Sequence, residues 1–457
     1  MDCKGNNDTR TTRLSSLMGG SAFLIGLVAM VLLLLGNWKA LAVLVAIVSF
    51  PLLLLVTWKW PVVILFVALA ANFSNFPVVF LPVGYWLFYL VAIVHIVKRF
   101  HVLKNWRSLI ADPLVVIFCV LVLLGMATVP RWTNIGEGIK GFLQLAVTPL
   151  IAYIIFRWDV LQRDVREGVV FTIVPLLLFF IVAQSFAALL WGGAIARGVS
   201  LSRNLLGFHS FDIGWARSNY LAGILVFLVA LTLAPRGSIH QRGYKTVIRW
   251  VTIVIACVLI VITLSRGAMV ALAVVGCAFL LLSGKKQQMI VMSLVGGGAL
   301  LLLLAGSGII DKLVFRLQHI RTDYSTLSRI GMILDSIRII KNNPVIGRGP
   351  LQIVYKGFYE GLTDPHNVFL RYGAEFGGIS ILFIVFLLSY PLVRLYRSMK
   401  DGPRERAMAL LFIPCLIGAI VHAQMEVTIT ALRYGLLFWI IYSAAIVANA
   451  PNAVKDK

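Results

Sequence analysis

The sequence predicts an all-α polytopic membrane protein, with about 12–14 transmembrane helices and one large, partly helical outer loop. Three observations carry that prediction. Hydrophobic residues make up 60% of the 457 positions and charged residues only 13%, against about 45–50% and about 25% in soluble domains. The apolar residues run in continuous stretches near span length instead of alternating with period two, which excludes an outer-membrane barrel. Basic clusters also recur on every second loop, as the positive-inside rule requires when the N-terminus is cytoplasmic.

The stretches, bounded by charge or by Gly, Pro and Asn, cover approximately 17–35, 40–56, 61–72, 79–97, 113–129, 141–156, 168–191, 219–234, 247–264, 267–283, 288–308, 371–392, 407–423 and 431–449. The third is short for a crossing and suits a broken or re-entrant helix. Loop charges fix the register. Lys98, Arg99, Lys104 and Arg107 follow the fourth stretch; Arg157, Arg163 and Arg166 the sixth; Arg236, Arg242, Lys245 and Arg249 the eighth. Lys285 and Lys286 follow the tenth, and Arg394, Arg397, Lys400, Arg404 and Arg406 the twelfth. The expected organisation is a cytoplasmic tail (1–16), a transmembrane bundle (17–308), a large outer loop (309–370), further transmembrane helices (371–449) and a second cytoplasmic tail (450–457). The first stretch is longer than a signal-peptide core and runs directly into another span, so it reads as an uncleaved anchor.

The mean hydropathy of +0.94 and the confinement of most of the +23 net charge to short loops exclude a soluble enzyme, a disordered basic protein and an ordinary nucleic-acid binder. Cys3, Cys119, Cys257, Cys277 and Cys415 are spaced too widely for a disulfide framework or a zinc pattern. With no HExxH and no Walker-type loop either, no metal or cofactor is expected.

Two outer connections are long, about Gly192 to Ser218 and about Ile309 to Leu370. In the second, Ser325 to Lys341 has helical periodicity, with Ile330, Ile333, Leu334, Ile337 and Ile340 apolar and Arg329, Asp335, Arg338 and Lys341 polar. Asn343-Pro344 and Gly347-Arg348-Gly349-Pro350 end it. A membrane-lying outer domain is the expectation.

Outer loops should be poor in Lys and Arg, so arginines there stand out. Long loops escape the orientation rule, which accounts for several of them. Arg266, in the minimal turn Thr263-Leu264-Ser265-Arg266-Gly267, is not covered by that argument. It either snorkels to headgroups or holds an anion, for which its planar fork is suited. Arg217, in Trp215-Ala216-Arg217-Ser218-Asn219-Tyr220, opens a helix from the same side. A helix N-terminus with an arginine favours phosphate, while Ser218 and Asn219 could equally be plain caps. Arg203 is a candidate of the same kind.

His366, in Thr363-Asp364-Pro365-His366-Asn367, stands where the large loop re-enters the membrane. A histidine suits a general base, oriented by Asp364 or a more distant carboxylate; as a bland alternative it fills a turn before a helix. Glu375 and Glu426 lie near membrane depth, where carboxylates are functional suspects, though each could merely neutralise an arginine such as Arg371 or Arg433.

Taken together, Arg217-Ser218-Asn219-Tyr220-Leu221-Ala222, Leu264-Ser265-Arg266-Gly267, Asn343-Pro344-Val345-Ile346-Gly347-Arg348-Gly349, Pro365-His366-Asn367 and Glu375-Phe376-Gly377-Gly378 resemble the O-antigen ligase and polymerase superfamily. The resemblance covers roughly residues 200–385 by motif. It implies a bacterial inner-membrane glycosyltransferase of the GT-C type, with both termini cytoplasmic and a periplasmic active site. Its donor would be a glycan on undecaprenyl diphosphate. Its acceptor would be lipid A-core for a ligase, or a second lipid-linked glycan for a polymerase. By position, Arg217 and Arg266 would hold the diphosphate and His366 would act as base, with Arg203 as the alternative to Arg217. Arg348, Asn367, Arg338 and Glu375 are expected at the substrate, with membrane lipids and no nucleic acid as further partners. A flippase for lipid-linked glycans is the competing class. It would need arginines along a pathway open to both sides, whereas the singular charges here are all on one side.

Overall fold

A helix satisfies every backbone N–H and C=O within one segment, which is what an apolar chain in lipid requires. The computed structural model is accordingly helical almost throughout the residues it describes: 53–73, 81–98, 100, 110–157, 169–190, 201–203, 209–211, 218–233, 243–263, 265–283, 324–353, 365–426 and 428–448. The chain divides into two compact units, 1–64 and 65–457. In the first, the described residues are 53–64. The site described below lies wholly in the second.

Fourteen α-helices of eight residues or more occur among the described residues: α1 (Pro61–Asn72), α2 (Val83–Lys98), α3 (Pro113–Ala127), α4 (Ile135–Phe142), α5 (Thr148–Arg157), α6 (Val174–Leu190), α7 (Ser218–Leu233), α8 (Gly243–Ile262), α9 (Arg266–Leu282), α10 (Tyr324–Asn342), α11 (Val368–Phe376), α12 (Ser380–Ser398), α13 (Pro403–His422) and α14 (Leu432–Ala448). The one departure among them is a short antiparallel ribbon, β1 (Leu201–Arg203) with β2 (His209–Phe211). Among the described residues, four helical segments are long and apolar enough to cross a membrane: Ile135–Arg157, Val169–Ala187, Ser380–Ser398 and Pro403–His422. Six more apolar helices are shorter. Leu53–Lys59 and Pro61–Asn72 meet at a bend of 118°, the form that the short third stretch suggests. The expected spans over 17–35 and 288–308 lie outside the described residues.

Local chemistry sets the helix ends. Asp112 caps α3 by accepting from Leu114 N at 3.0 Å, with Pro113 in the first turn. Ser265 caps α9, Ala268 N donating to its Oγ at 3.4 Å, so that Arg266 is the first helical residue. Asn367 caps α11 through Phe369 N and Leu370 N. The stretch over 371–392 is not one helix: α11 stops at Phe376, and α12 starts at Ser380. Gly377, at φ +108°, makes that break, and a Cβ there would meet the Val345 carbonyl.

At the centre of the bundle stands α7, buried on every side from Leu221 to Thr232, as an all-round apolar helix should be. It packs against α6, α8, α9 and α13, while α13 also packs against α9 and α12. A π-helical turn, Leu143–Val147, joins α4 to α5. That turn releases Leu145 O to accept from Tyr372 Oη at 2.9 Å and aims Gln144 Nε2 at Thr430 O, 2.6 Å away.

Candidate active site at the 422–430 turn

The turn leaving α13 gathers polar residues from several helices of the bundle. Its own backbone is closed by Glu426 N donating to His422 O at 3.0 Å and Thr428 N to Glu426 O at 2.9 Å. Thr430 O is gripped by Gln144 and by Arg371 Nη1 at 3.0 Å. Ala423 O accepts from Val368 N at 3.0 Å, and Gln424 Oε1 accepts from Asn367 Nδ2 at 2.9 Å. The start of α11 is thereby tied to the turn through main chain and side chain together.

Glu426 is the focus, its side chain only 4% exposed. Oε2 lies 3.2 Å from His366 Nδ1. Oε1 pairs with Arg329 of α10 and accepts from Asn219 Nδ2 of α7 at 2.6 Å. Burial alone would raise the carboxyl's pKa, but contact with His366 and the charge of Arg329 outweigh it and hold the group below its ordinary value. A carboxylate kept ionised here attracts cations and orients the imidazole.

His366 sits at φ +54°, an uncommon backbone for a residue with a Cβ and one that costs on the order of 1–3 kcal/mol. Pro365 before it and the Asn367 cap after it impose the turn. Its Nδ1 faces Glu426, and 20% of the side chain is exposed.

Three helix N-termini converge on this turn, each a site of partial positive charge. Asn219, in the first turn of α7, reaches Glu426 directly. At the start of α9, a Cβ on Gly267 would lie 3.1 Å from Met425 Cβ, so the half-buried Arg266 enters beside the turn. The third is α11, preceded by His366 and Asn367.

Other expected residues fall in different places. Arg217 lies outside the described residues, and Arg203 belongs to β1, where the backbone alone is described. Glu375 forms a buried pair with Arg371 at 3.0 Å, the neutralising role read as its alternative. Arg338 is exposed and faces Asp335 at 3.4 Å. Arg348 is exposed on a strap, 343–352, whose backbone is fixed on both sides. Arg348 N and Gly349 N donate to Ala374 O and Glu375 O at 3.0 and 2.9 Å. Arg131 Nη1 donates to Ile346 O and Gly347 O at 2.7 and 3.0 Å.

Sequence reasoning did not assign Arg329, Asn219 or Gln424 to the site, and it offered Arg371 or Arg433 as the partner of Glu426. Glu426 takes Arg329 and His366 instead. Asn219 is not a cap but a donor to Glu426 from inside α7. The one available signal was the isolation of Glu426 between two apolar stretches.

Residues 251–385 match the family model described as O-antigen ligase. This stretch of the chain is similar to an O-antigen ligase domain. It runs from α8 into α12 and contains Arg266, Arg329, Arg348, His366 and Asn367. Asn219 and Glu426, which complete the cluster, lie outside the matched residues on either side. Comparison of the chain with curated proteins finds no match. The protein is thus an all-α, multi-pass membrane protein whose residues 251–385 are similar to the O-antigen ligase family, a glycosyltransferase-like group of ligases and polymerases.

Proposed function

We propose that the protein is a glycosyltransferase that moves a glycan from undecaprenyl diphosphate to an acceptor hydroxyl, with lipid A-core as the acceptor. The observation that carries this reading is the His366–Glu426 contact lying among three helix N-termini and two arginines. It supplies a base and a cationic surround in one place, which is what displacing a diphosphate requires.

In this mechanism Glu426 holds the imidazole with its proton on Nδ1, leaving Nε2 to receive the acceptor proton, the same division of roles as in a hydrolase triad. The acceptor oxygen attacks the anomeric carbon as its O–H bond breaks. The bond from that carbon to the diphosphate breaks on the opposite face, so configuration inverts. The departing electron pair settles on the diphosphate, where Arg266, Arg217 and the helix N-termini stabilise it. All of these groups belong to the chain itself, and the proposed mechanism calls on no metal. Asn367 contributes by holding α11, and with it His366, to Gln424. Arg348, presented outward on its fixed strap, meets the glycan. The site faces the periplasm, with both termini in the cytoplasm.

The test is reconstitution in vesicles with undecaprenyl-diphosphate glycan, offering lipid A-core and a second lipid-linked glycan as alternative acceptors, with and without a chelator. Product on lipid A-core in both conditions is expected. Product only on the second glycan would make the protein a polymerase. Product on neither acceptor, with lipid transport retained, would make it a flippase.

A further inference from the structure

Helix α10 is inside out. Its inward face carries Ser328, Met332 and Ser336, all buried, and Arg329, which pairs with Glu426. Its outward face carries Leu327, Ile330, Leu334 and Ile337, exposed by 41, 49, 58 and 39%. Their spacing of three, four and three residues draws one apolar stripe along the helix. A surface helix in water places its polar residues outward, and an apolar stripe left outside marks a place where something apolar docks.

Two features say what docks. The C-terminal end of α10 joins a lipid-facing surface: Ile379 N donates to Pro344 O at 3.2 Å, and a Cβ on Gly378 would touch Ile340 and Pro344. Immediately beyond, Ile379, Leu382, Val385 and Phe386 are exposed at the start of α12, a helix long and apolar enough to span. Exposed Val345 continues the α10 stripe to that junction. Beside the stripe, Arg338 and Lys341 are exposed, placed for phosphate headgroups. Asp335, 3.4 Å from Arg338, is the one acidic neighbour on the helix.

We propose that α10 is seated in the phospholipid surface on the side of the candidate site, with Leu327, Ile330, Leu334 and Ile337 among the upper acyl chains and Arg338 and Lys341 at the phosphates. Because Arg329 projects from the opposite face of the same helix, this seat fixes the rotation of α10 and keeps Arg329 on Glu426. That second consequence rests on the proposed function; the seat itself does not.

The test uses the full-length protein in phosphatidylethanolamine and phosphatidylglycerol vesicles containing a phospholipid with a diazirine near the acyl carbonyl. After illumination, adducts are mapped by peptide mass spectrometry, with Leu382 and Val385 of α12 as the lipid-facing reference. Adducts on the α10 stripe and none on Ser328, Met332 or Ser336 are expected. Labelled α12 with an unlabelled stripe would overturn the seat, as would cross-links showing a second copy of the chain over the stripe. Leu334→Asp with Ile337→Asp should lower both the adducts and the transfer rate, the latter by about tenfold to a hundredfold, while Leu334→Met preserves both. Wild-type transfer in the double variant would overturn the link to Arg329. Stripe adducts in a wild-type protein with no transferase activity would leave the seat standing and refute only the proposed function.

Discussion

Replacing Glu426 by glutamine removes one charge from the centre of the site without changing its shape. The amide still offers an oxygen to Asn219 Nδ2, now at 2.6 Å, but it no longer attracts Arg329 or selects the Nδ1-protonated form of His366. Proton transfer by a positioned base contributes about 10²–10⁴ in rate, or about 2.7–5.5 kcal/mol at about 1.36 kcal/mol per decade. Because the carboxylate acts through His366, kcat should fall by about that factor while the donor KM changes little. The assay is transfer of labelled glycan to acceptor at saturating donor. There is a stability arm as well. Removing one partner of a buried pair costs about 3–5 kcal/mol when the other stays buried. Arg329, with 26% of its side chain exposed, can rehydrate, so the loss should be about 1–3 kcal/mol. The sign of the pH effect follows from the depressed carboxyl. Its stabilisation is present above the ordinary value of 4.5 and is lost as pH falls through the lower folded value. Acid melting of the wild type should therefore show a limb that Glu426→Gln lacks. Wild-type kcat in Glu426→Gln, at normal protein level, would refute the role of the pair.

Three further outcomes are expected. His366→Asn should fold normally, because asparagine tolerates the positive φ, yet lose about 10²–10⁴ in kcat, read by transfer assay beside a thermal melt. Arg266→Lys should raise the donor KM and lower kcat through loss of the planar fork, and full activity would point to a headgroup anchor instead. In Gly223→Ala, the new Cβ would lie 2.6 Å from His422 Cε1 and 2.7 Å from Thr428 Cγ2. The turn carrying Glu426 must then shift, so transfer should fall by at least tenfold with little change in membrane insertion.

Hydropathy and loop charge are local properties, summed over about 20 neighbouring residues, and they sufficed for the all-α membrane class. Helical periodicity, equally local, gave Ser325 to Lys341, close to the observed α10 at Tyr324–Asn342. Caps act over the same short range: Ser265 and Asn367 accept from amides two or three residues away. The Gly377 break was harder to read, since apolar residues flank it on both sides, and periodicity does not report the close approach of Val345 that forbids a side chain. The amphipathic pattern of α10 was visible as well, but not which face turns inward, because that depends on what the neighbouring helices offer.

His366 and Arg266 could be singled out from sequence as charged or titratable groups at span ends with no topological reason to be there. The partner of His366 could not. Arg329 lies 97 positions from Glu426 and Asn219 lies 207, and no local pattern ranks Glu426 above Glu375, two carboxylates at similar apparent depth. The packing of α7, α9 and α13 decided it, by bringing helix N-termini onto the turn that holds Glu426 and leaving Glu375 to Arg371. Local sequence could set each helix and its ends because those depend on neighbouring residues. Which charge meets which depends on distances across the bundle, and only the folded chain sets them.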